Sequence, residues 1–146
     1  MPGVPAGEDN NLGADAIFAV HQEPWERTVV MVHDWLVEAR DFGWPTTIVV
    51  EKYTITMQTL KKSRQYEALY CIGGLLSLAL LFDNVEVVLQ SPGEAKALVT
   101  DDRLRTLGWY DAVKGKEHAR DALRHLVRWL VQTKRMNPQV LLGLDA

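Results

Sequence analysis

The chain has 146 residues, 47% of them hydrophobic and 24% charged, with a formal net charge of −3. That length and composition suit one ordinary globular domain with a proper core, and the acidic balance excludes a general polyanion binder, leaving only local basic patches for any nucleic acid. The single cysteine, Cys71, excludes an internal disulfide framework and a zinc site built on several thiolates, and points to a reducing cytoplasm.

Residues 1–12 are rich in Pro, Gly and Asn and read as a loop or disordered arm, without the basic-then-apolar pattern of a secretory signal. Residues 14–22 contain a short strand with Ile17, Phe18 and Val20 at its core. Pro24 opens a helix to about Phe42 whose inner face is Trp25, Val29, Val32, Leu36 and Ala39, and Gly43 with Pro45 stops it. His33 beside that face reads as structural. Residues 46–51 form a β-branched run of the kind found in strands buried on both faces, and it ends on Glu51. Open α/β sheets tend to place sites at that end of a strand, although a charge there can equally mark the exit into solvent.

A polar stretch follows, and then a long helix over residues 60–82, basic at its start (Lys61, Lys62, Arg64) and apolar afterwards. Its most apolar part, residues 68–82, falls short of the roughly 18 to 20 residues that span a bilayer and reads as a core helix. The Gly73-Gly74 pair inside it costs helix propensity, which close packing against the sheet is expected to offset. A second strand covers residues 85–89. Ser91-Pro92-Gly93-Glu94 has the pattern of a helix start and opens a short helix through Lys96. Thr100 or Asp101 caps another, ending near Gly108, and residues 109–116 read as a loop.

The last long helix runs to about Arg135. At 100° per residue, His118, Asp121 and His125 fall within roughly 60° of one another, beside an apolar face of Ala119, Ala122, Leu123, Leu126, Trp129 and Leu130. A row of Arg120, Arg124 and Arg128 flanks them. Residues 136–146 read as a loosely held tail. Helices alternating with β-rich runs make residues 1–135 a single α/β layered domain.

Three pieces of this pattern stand in a telling order: Glu51 closing a buried strand, Pro92 with Lys96 after the next strand, and His118 with Asp121 on the closing helix. Over residues 46–130 the chain resembles the RuvC-type Holliday-junction resolvases of the RNase H-like superfamily, in particular the small versions carried by bacteriophages. The resemblance implies an RNase H-like mixed sheet flanked by helices, and a metal-dependent, structure-selective DNA endonuclease acting on four-way or otherwise branched DNA in the (host) cytoplasm, as a homodimer and with no membrane. It implies that Glu51, His118 and Asp121 are the catalytic and metal-binding residues for two Mg²⁺ or Mn²⁺ ions, hard cations that take oxygen ligands. Lys96, Lys61, Lys62, Arg64, Arg120 and Arg124 would contact DNA phosphates. His125 would be a supporting residue.

The chain departs from that family at its start. The family's first strand ends in a catalytic Asp within a D-P-G-x-T-T-G turn, whereas this sequence begins Met1-Pro2-Gly3 with Met1 in the Asp position. The N-terminal part of the sheet is therefore expected to be truncated or degenerate. Three explanations stand open: a start codon further upstream, a relative that binds junctions without cutting them, or substitution by Asp9 or Asp15. Beside the nuclease stand two alternatives, a catalytically inactive RuvC-like DNA-binding protein and a small α/β interaction protein unrelated to nucleic acid.

Overall fold

The computed structural model describes residues 19–53 and 66–144 of the chain. Among these residues it is an α/β protein with six α-helices and a two-stranded parallel sheet. The described residues fall into two compact units, one within 23–91 and the other formed by 19–22 with 92–144.

The first unit runs α1 (Trp25–Phe42), β1 (Thr46–Glu51), α2 (Tyr66–Leu81) and β2 (Val85–Gln90). Helix α1 ends where the sequence requires. Gly43 takes φ 72°, and the N–H groups of Gly43 and Trp44 donate back to the carbonyls of Arg40 and Ala39, after which Pro45 cannot continue the helix. Leu36 is its buried anchor, with Trp25, Val29, Val32 and Ala39 half-buried on the same side. β1 and β2 pair in parallel register from Thr46 opposite Val85 to Glu51 opposite Gln90, and the Lys52 N–H extends the ladder to the Gln90 carbonyl. The expectation of a strand buried on both faces is not met: residues 46–50 are half-buried, because the described sheet has only two strands to cover one another.

Helix α2 also differs from its expected role as a core helix. Only Leu75 on it is buried, while Leu80 and Leu81 are 88% and 78% exposed. Of the glycine pair, Gly74 is the one in close contact, and its neighbour is α1 rather than the sheet: a Cβ added there would lie 2.8 Å from Val29 Cγ2, whereas one added at Gly73 would meet nothing within 4 Å. Gly73→Ala is therefore expected to stabilise by up to about 1 kcal/mol through helix propensity. Gly74→Ala is expected to destabilise by about 1 kcal/mol, because overpacking a stiff β-branched neighbour outweighs that gain. Urea unfolding of both variants checks this, together with Val29→Ala made alone and combined with Gly74→Ala. Val29→Ala should cost less in the combined variant than it does alone, since it relieves the crowding.

The second unit contains residues 19–22, α3 (Pro92–Leu98), α4 (Asp101–Leu107), α5 (Tyr110–Val113), α6 (Glu117–Gln132) and a 3₁₀ turn (Pro138–Leu142). Thr100 is the α4 cap, its hydroxyl accepting from the Arg103 N–H at 3.3 Å, and Gly108 closes the helix at φ 78°. The expected loop over residues 109–116 holds the single turn α5, because Trp109 and Val113 must both reach the core. Val99, Leu104, Leu107, Leu123, Val127 and Leu130 are also part of that core. The expectation of a loose tail gives way to a packed one. After α6, Lys134 adopts φ 58°, the N–H groups of Arg135 and Met136 return to the Leu130 carbonyl, and Met136 and Leu141 are buried.

Of the N-terminal strand expected at residues 14–22, residues 14–18, like Asp9 and Asp15, lie outside the described residues; residues 19–22 are not a strand. Val20 packs against the core of the second unit, and the Gln22 Oε1 accepts from the Ala119 N–H in the first turn of α6 at 3.3 Å. Lys116, the residue at that helix's cap position, makes no side-chain capping bond, so Gln22 supplies the acceptor from 97 residues away.

Candidate functional site

Helix α6 is enclosed on two sides, and this explains its charged residues. Ala119, Leu123, Val127 and Leu130 face the apolar core. Ala122, expected on that face, is exposed, and Leu126 and Trp129 are half-buried. Roughly opposite lie Asp121, Arg124, His125 and Arg128, and His125 is buried. The polar face is therefore not a seam open to water but a second packing surface covered by α3 and the link into α4.

Charge complementarity holds that surface together. Arg124, with 12% of its side chain exposed, donates from Nε to the Val99 carbonyl at 3.0 Å, from Nη1 to Asp121 Oδ1 at 2.7 Å, and from Nη2 to Asp101 Oδ1. Arg120 Nε lies 3.8 Å from the same Asp101 oxygen. Arg128 pairs with Glu94 on α3. Lys96 Nζ stands 3.7 Å from Asp121 Oδ2. Lys96 and Asp121, on different helices, are thus neighbours.

The remaining expected site residues are distributed unevenly. His118 is exposed in the first turn of α6, one turn before Asp121. Glu51 is exposed at the carboxyl end of β1 and belongs to the other unit. Lys61, Lys62 and Arg64 lie outside the described residues. Arg124, expected at a DNA phosphate, has its guanidinium engaged inside the protein, and Arg120 is mostly covered. Lys96, 57% exposed, is the cation of this group that reaches solvent. No known family model, curated protein or solved structure matches the chain. The likeness to resolvases therefore stands on the motif residues alone.

As donors, Glu51 and Asp121 are the hard oxygen ligands that Mg²⁺ or Mn²⁺ would take, and His118 is an accessible nitrogen donor. Among the described residues, however, no group of three His, Cys, Asp or Glu side chains is arranged to hold a metal ion. Asp121 in particular balances two cations. A metal could engage its Oδ2 only after Lys96 moved aside, which the exposure of Lys96 permits, whereas Oδ1 is held by Arg124. Cys71 offers no alternative chemistry, since burial pushes its thiol up and leaves little thiolate at neutral pH.

Sequence reasoning misses two contributors. By its position Asp101 reads only as a cap; once Thr100 takes that role, the Asp101 carboxylate is available to bridge Arg120 and Arg124. Gln22 carries no signal, because nothing local marks a side chain that caps a helix 97 residues on. No helix among the described residues is long and apolar enough to cross a membrane.

Proposed function

We propose that this chain is a RuvC-like protein of RNase H-like fold that acts on branched DNA in the cytoplasm, as a metal-dependent, structure-selective endonuclease. The observation that carries the reading is the juxtaposition of Lys96 with Asp121, which joins two of the three motif segments in one place. The parallel β1–β2 pair, with Glu51 at its carboxyl end, agrees with it.

In this reading Glu51, His118 and Asp121 would each be a ligand of Mg²⁺ or Mn²⁺, which supplies Lewis-acid activation of water and of the departing oxygen. The chain's own residues set the order of events. A DNA phosphate arriving at Lys96 competes with Asp121 for the ammonium, so substrate binding and release of the Asp121 Oδ2 are linked. Arg124 keeps Asp121 on its helix throughout, through Oδ1.

A second reading, a junction-binding protein that does not cut, is favoured by the same contacts: a carboxylate already neutralised by Arg124 and Lys96 is a poor ligand for a divalent cation. Incubation with a labelled four-way junction and with linear duplex of the same sequence, with Mg²⁺, Mn²⁺ or EDTA, separates the two. The nuclease reading expects metal-dependent nicking confined to the junction. A mobility shift without nicking in either metal supports the second reading, and absence of any junction-selective shift at low salt removes both.

A further inference from the structure

We propose that Glu94 masks a phosphate-binding residue, Arg128, which exchanges that carboxylate for the backbone of a nucleic acid. The proposal rests on the reading that the chain binds DNA, and it needs neither a metal nor cleavage. Arg120, Arg124 and Arg128 stand at four-residue steps along α6, about 6 Å apart. Each is met by a carboxylate from the α3–α4 segment: Asp101 for Arg120 and Arg124, and Glu94 for Arg128. A row of guanidinium groups is what phosphates take, and here the protein's own acidic groups occupy it first.

Exposure separates the fixed pairs from the exchangeable one. Arg124 is also held by the Val99 carbonyl and by Asp121, and its partner Asp101 is shared with Arg120. Arg128 is covered, with 14% of its side chain exposed, whereas Glu94, which accepts from its Nη2, is 66% exposed. The Glu94 carboxylate can therefore swing into water without moving α3, whose apolar anchor is the buried Ala95. An ion pair with so exposed a partner adds little to stability, so little opposes the exchange. A phosphate offers two oxygens to the planar fork and makes the stronger contact. Glu94 and Lys96 lie about 100° to either side of Ala95, so they reach α6 from opposite flanks of α3. Their partners, Arg128 and Asp121, are seven residues apart on α6, about 10 Å, or about three nucleotides along one B-form strand. One strand can thus take Arg128 from Glu94 and Lys96 from Asp121 together.

Fluorescence anisotropy of a labelled four-way junction with the full chain in EDTA, over a series of salt concentrations, tests the proposal. Glu94→Gln keeps an acceptor for Arg128 but removes the competing charge, and should tighten binding by about three- to tenfold. Arg128→Gln should weaken binding and flatten the slope of log K against log salt by about 0.9, the loss of one phosphate contact. In the Arg128→Gln background the gain from Glu94→Gln should disappear. Asp102→Asn is the control for charge alone, since Asp102 is exposed and pairs with Arg105 on its own helix. A Glu94 whose role was only to hold α3 would lower the melting temperature when replaced without tightening binding. Wild-type binding that Glu94→Gln leaves unchanged, weakens, or improves no more than Asp102→Asn does overturns the masking and leaves the DNA reading standing. Absence of junction binding by both wild type and Glu94→Gln at low salt overturns both.

Discussion

Glu51→Gln and Asp121→Asn are each expected to lower metal-dependent nicking of a four-way junction by at least about 100-fold. Residues that only orient a metal ligand typically cost about 10- to 100-fold when removed, so loss of a ligand itself belongs at or beyond the upper end. The two substitutions differ usefully in structural cost. Glu51 is exposed at a strand end, and its amide replacement leaves the β1–β2 ladder untouched. Asn at position 121 keeps an acceptor for Arg124 Nη1, and Arg124 retains the Val99 carbonyl and Asp101, so stability should fall by no more than about 1 kcal/mol. Melting curves alongside the nicking assay separate lost chemistry from lost fold. Undiminished cutting by either variant would remove that residue from the site.

The largest stability effect outside the apolar core is expected at Arg124. Removing it takes away three bonds at once, leaving the buried Val99 carbonyl without this donor and the Asp101 and Asp121 carboxylates without their closest cation. Arg124→Ala should therefore cost about 2–4 kcal/mol, less than the full penalty for a buried pair because both carboxylates keep some contact with water. Arg124→Lys should recover only a minor part, since an ammonium on a flexible stem cannot reproduce a fork that serves a carbonyl and two carboxylates. Chemical denaturation of the two variants measures this. A residue whose business was with DNA would show a change within about 0.5 kcal/mol, and that result would return Arg124 to the DNA-contacting set.

In the proposed reading Asp121 is a metal ligand, while its partner Arg124 is a staple between α6 and the α3–α4 link. These roles are compatible because the carboxylate has two oxygens. Oδ1 faces the covered arginine and Oδ2 faces the exposed lysine.

Much of the local structure is legible in the residues themselves. Gly43 and Pro45 end α1, Pro92 stands at the first position of α3, and Thr100 and Gly108 bracket α4, because a cap, a fixed φ or a left-handed turn is a property of one or two residues. The β-branched run at residues 46–50 and its exit at Glu51 are equally plain. So is the α/β class, which follows from alternating periodicities. The order of Glu51, Lys96, His118 and Asp121 along the chain is likewise a property of the sequence, and the functional proposal begins there.

Tertiary structure alone decided what those residues touch. A helical pattern shows that Asp121 and Arg124 share a face of α6, but not that this face lies under α3 and that Lys96 and Asp101 come to it from elsewhere. Met136 and Leu141 lie in a stretch that reads as a tail, yet both join the core of the second unit, the turn that carries Leu141 packing against α4. Gly74 and Gly73 are indistinguishable as letters and opposite in consequence, one pressed against Val29 and the other facing open space. Periodicity fixes direction around an axis; the identity of the neighbour depends on how distant segments are brought together.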